Sequence, residues 1–196
     1  MASLGDAARR FELPPGADVR AVLAKLRAWP GVRDAVVTDR YACAYFDPHA
    51  PPIGDLASCL CATAPTPGSA RDLVILRADY DGPDLAEVAG RLELDVEEVI
   101  SLHTAATYTV AFVGFLPGFA YLAGLPARLV VARRETPRTR VPACALGIAG
   151  GYCGIYPFAS PGGWNLIGTA VDFTPFAVES GAALSAGDRV RFERVG

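Results

Sequence analysis

"TYTVAFVGFLPGFAYLAGLP", Thr107 to Pro126, decides how the rest of the chain is read. The fifteen residues from Phe112 hold four aromatics, three glycines and two prolines. That is too apolar for a solvated loop and too broken by Gly and Pro for a helix. It opens as a strand, "TYTVAFVGF", and ends in turns. Further short runs share this texture: "ARLVVAR", "ALGIAG", "GIYPF", "NLIGTAVDF" and "DRVRFERV". In the last, Val190 and Phe192 share one face and arginines the other, as a closing strand requires. Short strands separated by turn signals predict a closed barrel or sandwich over residues 105–196. Gly150-Gly151 predicts a tight turn between two of them.

Upstream, residues 80–104 read as a helical linker with helices at 85–91 and 96–102. Each is announced by Asp-x-x-Glu: Asp84 with Glu87, Asp95 with Glu98. The pair resembles a DNA-binding helix-turn-helix in outline. Its second helix carries Asp95, Glu97 and Glu98 without Lys or Arg, so it would repel phosphate. Residues 1–79 form a third region. Asp18 caps a helix with apolar positions Val19, Val22, Leu23 and Leu26, which Pro30-Gly31 stops. Strands "DAVVTD" and "YACAYFD", a helix "DLASCLCATA" and a strand "DLVILRADY" follow. With Phe11 to Leu13 as a weak first strand the order is β-α-β-β-α-β, a ferredoxin-like α/β sandwich. The fold class is therefore α+β, with a C-terminal β-domain.

Composition narrows the function. Hydrophobic residues make up 52% and charged residues 20% of the 196, which is globular. The net charge is −3 and the single lysine is Lys25, so no basic stripe exists to bind nucleic acid. The N-terminal stretch lacks the apolar segment of a signal peptide, and no run of 18 apolar residues could span a membrane. Five cysteines at irregular spacing fit free thiols in a cytoplasm. Cys59-Leu-Cys61 is a poor zinc spacing with no histidine nearby, so no metal is expected. No GxxxxGK loop is present, so ATP is not bound by that device.

Candidate chemistry gathers in the second half. His103 ends the acidic helix and could serve as a general base or hydrogen-bond donor, or cap the helix end half-buried. His49, in "DPHAPP", is a solvent residue. In "ARRETPRTRVP" Arg138 is the candidate fork for a carboxylate or phosphate, stiffened by Pro137 and Pro142; Arg133, Arg134 and Arg140 read as solvated. Cys153 follows the glycine turn and is a candidate nucleophile; Cys144 reads as structural. In Pro161-Gly162-Gly163-Trp164 the glycines permit close approach and Trp164 can wall a ligand, with Tyr156, Ser160 and Asn165 as polar neighbours. Ser160 lacks a Gly-x-Ser-x-Gly setting, which argues against a serine hydrolase. Together the Phe112–Pro126 and Tyr156–Gly168 stretches are expected to wall a small-molecule pocket through Phe115, Phe119, Tyr121, Tyr156 and Trp164.

The run "GPDLAEVA…EEVISLHTAATYTVAFVGFLPGFAYLAGLP", followed by "PRTRVP…IAGGYCGIYPFASPGGWNLIG", resembles the family of 5-oxoprolinase B subunits. Its members are also called KipI-like proteins and allophanate hydrolase subunit 1. The resemblance implies a cyclophilin-like β-barrel after the N-terminal domain. It implies a C-type partner of the same barrel fold, and ATP-coupled opening of 5-oxoproline to glutamate, with ATP used through the partner. Some members inhibit a sensor histidine kinase. The aromatic and glycine stretches would form the mouth of the barrel.

The departures from the family pattern are specific. Its Gly-Ser after Val-Pro-Ala is here Cys144-Ala145; its Gln-Thr is Tyr152-Cys153; its Gly-Arg-Thr is Gly168-Thr169 without arginine. Each lost charge-assisted hydrogen bond is worth roughly 1.5–3 kcal/mol. Three readings therefore stand. The first is a working B-type component with His103 and Arg138 in the reaction. The second is a repurposed stand-alone barrel enzyme, monomer or homodimer, that steers a cyclisation or isomerisation of an apolar intermediate with Tyr152, Trp164 and His103. The third is a kinase-inhibitor type of binding protein.

Overall fold

The computed structural model describes residues 2–52, 54 and 73–195. The chain divides into two compact units, residues 1–70 and 71–196. The expected helix "DLASCLCATA" lies outside the described residues.

In the first unit, strands β1 (Ala2–Ser3), β2 (Ala8–Glu12), β3 (Val32–Val37) and β4 (Tyr41–Phe46) form one antiparallel-paired sheet of order β1-β2-β4-β3. Helix α1 (Val19–Arg27) connects β2 to β3. β4 lies between those two strands and antiparallel to both, which makes β2-α1-β3 a split β-α-β unit. Asp18 caps α1 by accepting from the Ala21 N–H at 3.0 Å, as its position before the apolar run predicts. Val22 and Leu26 are fully buried against Phe11, Ala35, Ala42 and Ala44.

The second unit is a closed seven-stranded barrel. It comprises β5 (Val74–Asp79), β6 (Tyr108–Val113), β7 (Ala120–Ala123), β9 (Ala145–Ala149), β10 (Tyr152–Ile155), β12 (Asn165–Val171) and β15 (Arg189–Arg194), in the order β10-β7-β6-β15-β5-β12-β9. A two-stranded ribbon, β8 (Arg138–Val141) with β11 (Ser160–Gly162), and a small hairpin, β13 (Phe176–Ala177) with β14 (Gly181–Ala182), stand outside the closed ring. Helices α2 (Leu85–Arg91) and α3 (Val96–Ala105) join β5 to β6 and bury Leu85, Val88, Val99 and Ile100 in the barrel core. α3 starts in a capping box between Asp95 and Glu98.

Three expectations change. "DLVILRADY" does not complete the N-terminal sheet: β5 pairs with β12 and, in parallel, with β15 inside the barrel. Its alternating burial suits either sheet, and only the partners decide between them. "ARLVVAR" is not a strand but a 3-10 turn at Ala127–Leu129 followed by a single bridge from Val131 to Gly150. The third change concerns the aromatic stretches and follows from strand periodicity. Along β7, β9, β10 and β12 alternate residues belong to different clusters. Leu122, Leu146, Ile148, Cys153 and Ile167 fill the barrel; Tyr121, Ala145, Ala149, Tyr152 and Leu166 join Phe119, Tyr156 and Trp164 outside it. The aromatic cluster therefore lies on the outer face of the barrel wall and not in its mouth.

Candidate functional site

The outer cluster surrounds a cavity of about 210 Å³ lined by Phe115, Phe119, Tyr121, Arg133, Pro137, Tyr156, Trp164 and the end of β11 from Pro161 into Gly163. Its rings interlock edge to face: Phe119 lies 5.3 Å from Trp164 at 87° and 5.2 Å from Tyr156 at 76°, and Tyr121 lies 5.6 Å from Trp164. Two facing glycines, Gly147 and Gly154, are partners across β9 and β10, and a Cβ on Gly154 would sit 3.1 Å from the Phe119 ring. The wall is therefore bare of side chains where Phe119 lies on it. Gly162 is needed for a similar reason, since a Cβ there would fall 2.4 Å from the Tyr156 hydroxyl. At the rim Phe115 is 61% exposed and held at φ +71°, a left-handed conformation that costs an aromatic residue of order 1–3 kcal/mol.

The polar groups of the cavity are two phenols and a guanidinium. Burial raises the pKa of both Tyr121 and Tyr156, so both stay protonated at neutral pH. Arg133, which lines the same cavity, acts on both in the opposite sense. The Trp164 backbone beside Tyr156 acts in the same lowering sense. Arg133 further borders a polar cleft of about 430 Å³ with Glu87, Arg91, Arg134, Glu135 and Thr136.

The loop that carries Arg133 is tied down by a residue read from the sequence only as a helix cap. Asp84 makes no capping hydrogen bond, and its buried carboxylate reaches across the fold instead. Oδ1 accepts from Arg134 at 2.9 Å and from Arg138 at 2.5 Å, while Oδ2 accepts from the Leu166 N–H at 2.7 Å. Asn165 is fully buried; its amide donates to the carbonyls of Ala132 at 2.9 Å and Ile148 at 3.2 Å, and its oxygen accepts from Arg91 at 3.3 Å. Asp84 and Asn165 thus fix both ends of the Ala132–Arg138 segment to β12.

Of the sequence candidates, Phe115, Phe119, Tyr121, Tyr156 and Trp164 meet around this cavity. The others do not line it. Arg138 is committed to Asp84, and its other terminal nitrogen is buried without a partner. Ser160, in the cover ribbon, also has a buried, unpartnered hydroxyl. Tyr152 packs edge-on to Phe112 and Tyr121 outside the lining. His103 and Cys153 lie on the other side of the wall. His103 is fully buried, its Nδ1 2.7 Å from the Tyr80 hydroxyl, its ring between Tyr108 and Phe192, and its Nε2 unpartnered. Desolvation pushes its pKa down to about 3, so it is neutral and closed off from any base role in the cavity. Burial drives the Cys153 thiol pKa up, the opposite of what a nucleophile needs. Among the described residues, no group of three or more His, Cys, Asp or Glu is placed to hold a metal, and no helix is long and apolar enough to cross a membrane.

A family model for the carboxyltransferase domain, subdomain C and D, matches residues 2–180. The chain belongs to this family. The 5-oxoprolinase B subunit of Escherichia coli O157:H7 is 47% identical over 122 residues, 62% of this chain and 56% of that protein. The chain spans about half the length of the curated relatives it matches. The crystal structure of TTHA0988 superposes with a TM-score of 0.83 at 38% identity, over 96% of this chain and 41% of that one. A conserved uncharacterized protein of Pyrococcus horikoshii, PH0987, matches over 97% of this chain and 95% of its own, at 27% identity and a TM-score of 0.60. The resemblance to the 5-oxoprolinase B subunits and KipI-like proteins is borne out by these matches.

Proposed function

We propose that this chain is the B-type component of a lactam- or amide-opening system of the 5-oxoprolinase kind, and that its outer-wall cavity seats the ring of the substrate. The observation that carries the reading is the cavity itself: about 210 Å³, walled by interlocked aromatics and bordered by Pro161, Gly162 and Gly163. Drug-sized ligands occupy pockets of about 300–1,000 Å³, so this one suits a smaller ring. The similarity to 5-oxoprolinase B subunits supplies the substrate class.

The cavity holds no group poised to exchange a proton near neutral pH. Both phenols are shifted upward, and the histidine and buried thiol face the other side of the wall. The chain's own share of the reaction is then to bind and orient, with ATP use and proton transfer supplied by a partner resembling the family's C-type component. The same reading takes the barrel as cyclophilin-like and the N-terminal unit as ferredoxin-like, for which the split β-α-β unit speaks. It places the protein in the cytoplasm, in keeping with free Cys43, Cys144 and Cys153.

The test is replacement. The purified chain is substituted for the B component in a reconstituted 5-oxoprolinase and ATP-dependent glutamate release is followed. Release at a rate above the partner-only control is expected. A folded chain that forms a complex with the partner yet releases no glutamate sinks the reading. The repurposed stand-alone enzyme then takes its place, favoured by Ala145 in the outer apolar cluster where the family carries a serine hydroxyl.

A further inference from the structure

Arg133, Arg134 and Arg138 sit within six residues of one loop, and their commitments differ. Arg134 and Arg138 share the buried Asp84 carboxylate. Arg133 is exposed and pairs with no carboxylate among the described residues. It nevertheless lines the aromatic cavity together with Tyr121 and Tyr156. The loop beneath it is anchored at Asp84 and Asn165, so the backbone that carries Arg133 is fixed beside the cavity.

We infer that Arg133, flanked by the Tyr121 and Tyr156 hydroxyls, is a carboxylate clamp that makes the cavity selective for small ring compounds bearing one carboxylate. The inference deepens the proposed function and rests on it for the lactam ring, though not for the carboxylate. Three features support it. A guanidinium presents paired N–H donors that match a carboxylate in plane. Two protonated phenols beside it can each donate one hydrogen bond to the same anion. The remaining walls are apolar, so the ring lies on Phe119 and Trp164 while the anionic end stays at the open rim. An uncommitted cation at the rim of an apolar pocket selects by charge, because a neutral analogue leaves the guanidinium to water and gains nothing from it. Sequence reading picks Arg138 for this task, since the proline-braced fork looks the same at either position; only the remote Asp84 decides which arginine is spare.

The experiment titrates the full chain in a Trp29→Phe background, so that Trp164 alone reports. Two matched pairs of probes are used: 5-oxoproline against 2-pyrrolidinone, and phenylacetate against phenylacetamide. The carboxylate member of at least one pair is expected to bind about tenfold or more tighter than its neutral partner, as one charge-assisted contact at a part-exposed site allows. Arg133→Ala is expected to remove that preference while leaving the neutral member unchanged, and Arg133→Lys to keep part of it. If phenylacetate shows the Arg133-dependent preference and 5-oxoproline does not bind, the clamp stands and the lactam reading falls. If no pair shows a preference, or the preference survives Arg133→Ala, the clamp is overturned. Arg133 is exposed, so circular dichroism of both variants should match the parent and any loss is one of binding.

Discussion

The two faces of the barrel wall use nearly the same residue types for opposite ends. Inside, His103, Tyr80, Tyr108, Phe192 and Cys153 form a closed aromatic and polar cluster. Outside, Phe119, Tyr121, Tyr156 and Trp164 form a cluster of similar ring content that encloses a cavity with Arg133 at its rim. Tyr152 and Cys153 are neighbours in sequence and fall on different faces, because a strand turns successive side chains to opposite sides. What separates a core from a site here is access and a spare charge. The inner face has its reactive groups silenced by desolvation; the outer face has no reactive group of ordinary pKa, yet it can hold a ligand.

The largest expected effect falls on the residue that binds the outer face to the rest. Asp84→Ala strips two guanidiniums and the Leu166 amide of their common acceptor. Removing one partner of a buried pair costs about 3–5 kcal/mol in fully enclosed sites; Arg134 and Arg138 are about a quarter exposed, so the lower end, about 3 kcal/mol, is expected. Urea denaturation measures it. The same variant should weaken ligand binding, since the loop that presents Arg133 loses its anchor. A variant of parental stability would mean that the Asp84 network is dispensable and that the cavity's cover is held by packing alone.

The inner face predicts a loss of stability alone, and one that depends on pH. The unfolded chain binds a proton at His103 near pH 6.5, whereas the folded chain resists it down to about pH 3. Below pH 6.5 the unfolded state therefore holds more protons, and stability falls as pH falls, by about 2 kcal/mol between pH 7 and pH 5 from this group. The double variant Tyr80→Phe/His103→Leu replaces both partners with apolar groups, which should be close to neutral at pH 7. Its stability should decline less than the parent's over the same range, and probe binding at Trp164 should not change. Parallel pH profiles would break the contrast between the faces, as would a loss of binding.

These features were legible to different degrees. Local signals carried through: the Asp18 cap, the Asp95–Glu98 capping box, the Gly150-Gly151 hairpin and the closing strand with Val190 and Phe192 inside all appear as the residues suggest. The five pocket aromatics were readable because Gly- and Pro-rich aromatic runs have few other uses in a folded domain. Non-local facts were not readable. β5 alternates as any half-buried strand does, and nothing within it names β15 as its partner. Asp84 carries a helix-cap signature, while its actual partners lie 50, 54 and 82 residues away. His103 looked poised for chemistry because histidine is scarce here, but its burial follows from the closure of a barrel that its own helix does not encode.

The smallest effect concerns the point where this chain departs from the family pattern. Cys144 stands at φ +62°, in the left-handed region that glycine adopts freely and a Cβ resists. The backbone there is held from both sides: its N–H donates to the Tyr156 carbonyl at 2.7 Å, and its carbonyl accepts from Ala170 at 2.8 Å. It therefore cannot relax to a negative φ without losing both bonds. The thiol returns only a weak contact, 3.6 Å from the Phe173 carbonyl. Cys144→Gly should relieve the left-handed strain, offset by the greater freedom glycine has in the unfolded chain, for a net gain of about 0.5–1 kcal/mol. Because Cys144 belongs to the inner cluster's border while the cavity lies on the opposite face, the gain should appear in the urea midpoint and leave the probe affinities unchanged. A destabilised Cys144→Gly would show that the side chain's packing outweighs its backbone strain, and that the substitution at this position is a repacking of the core.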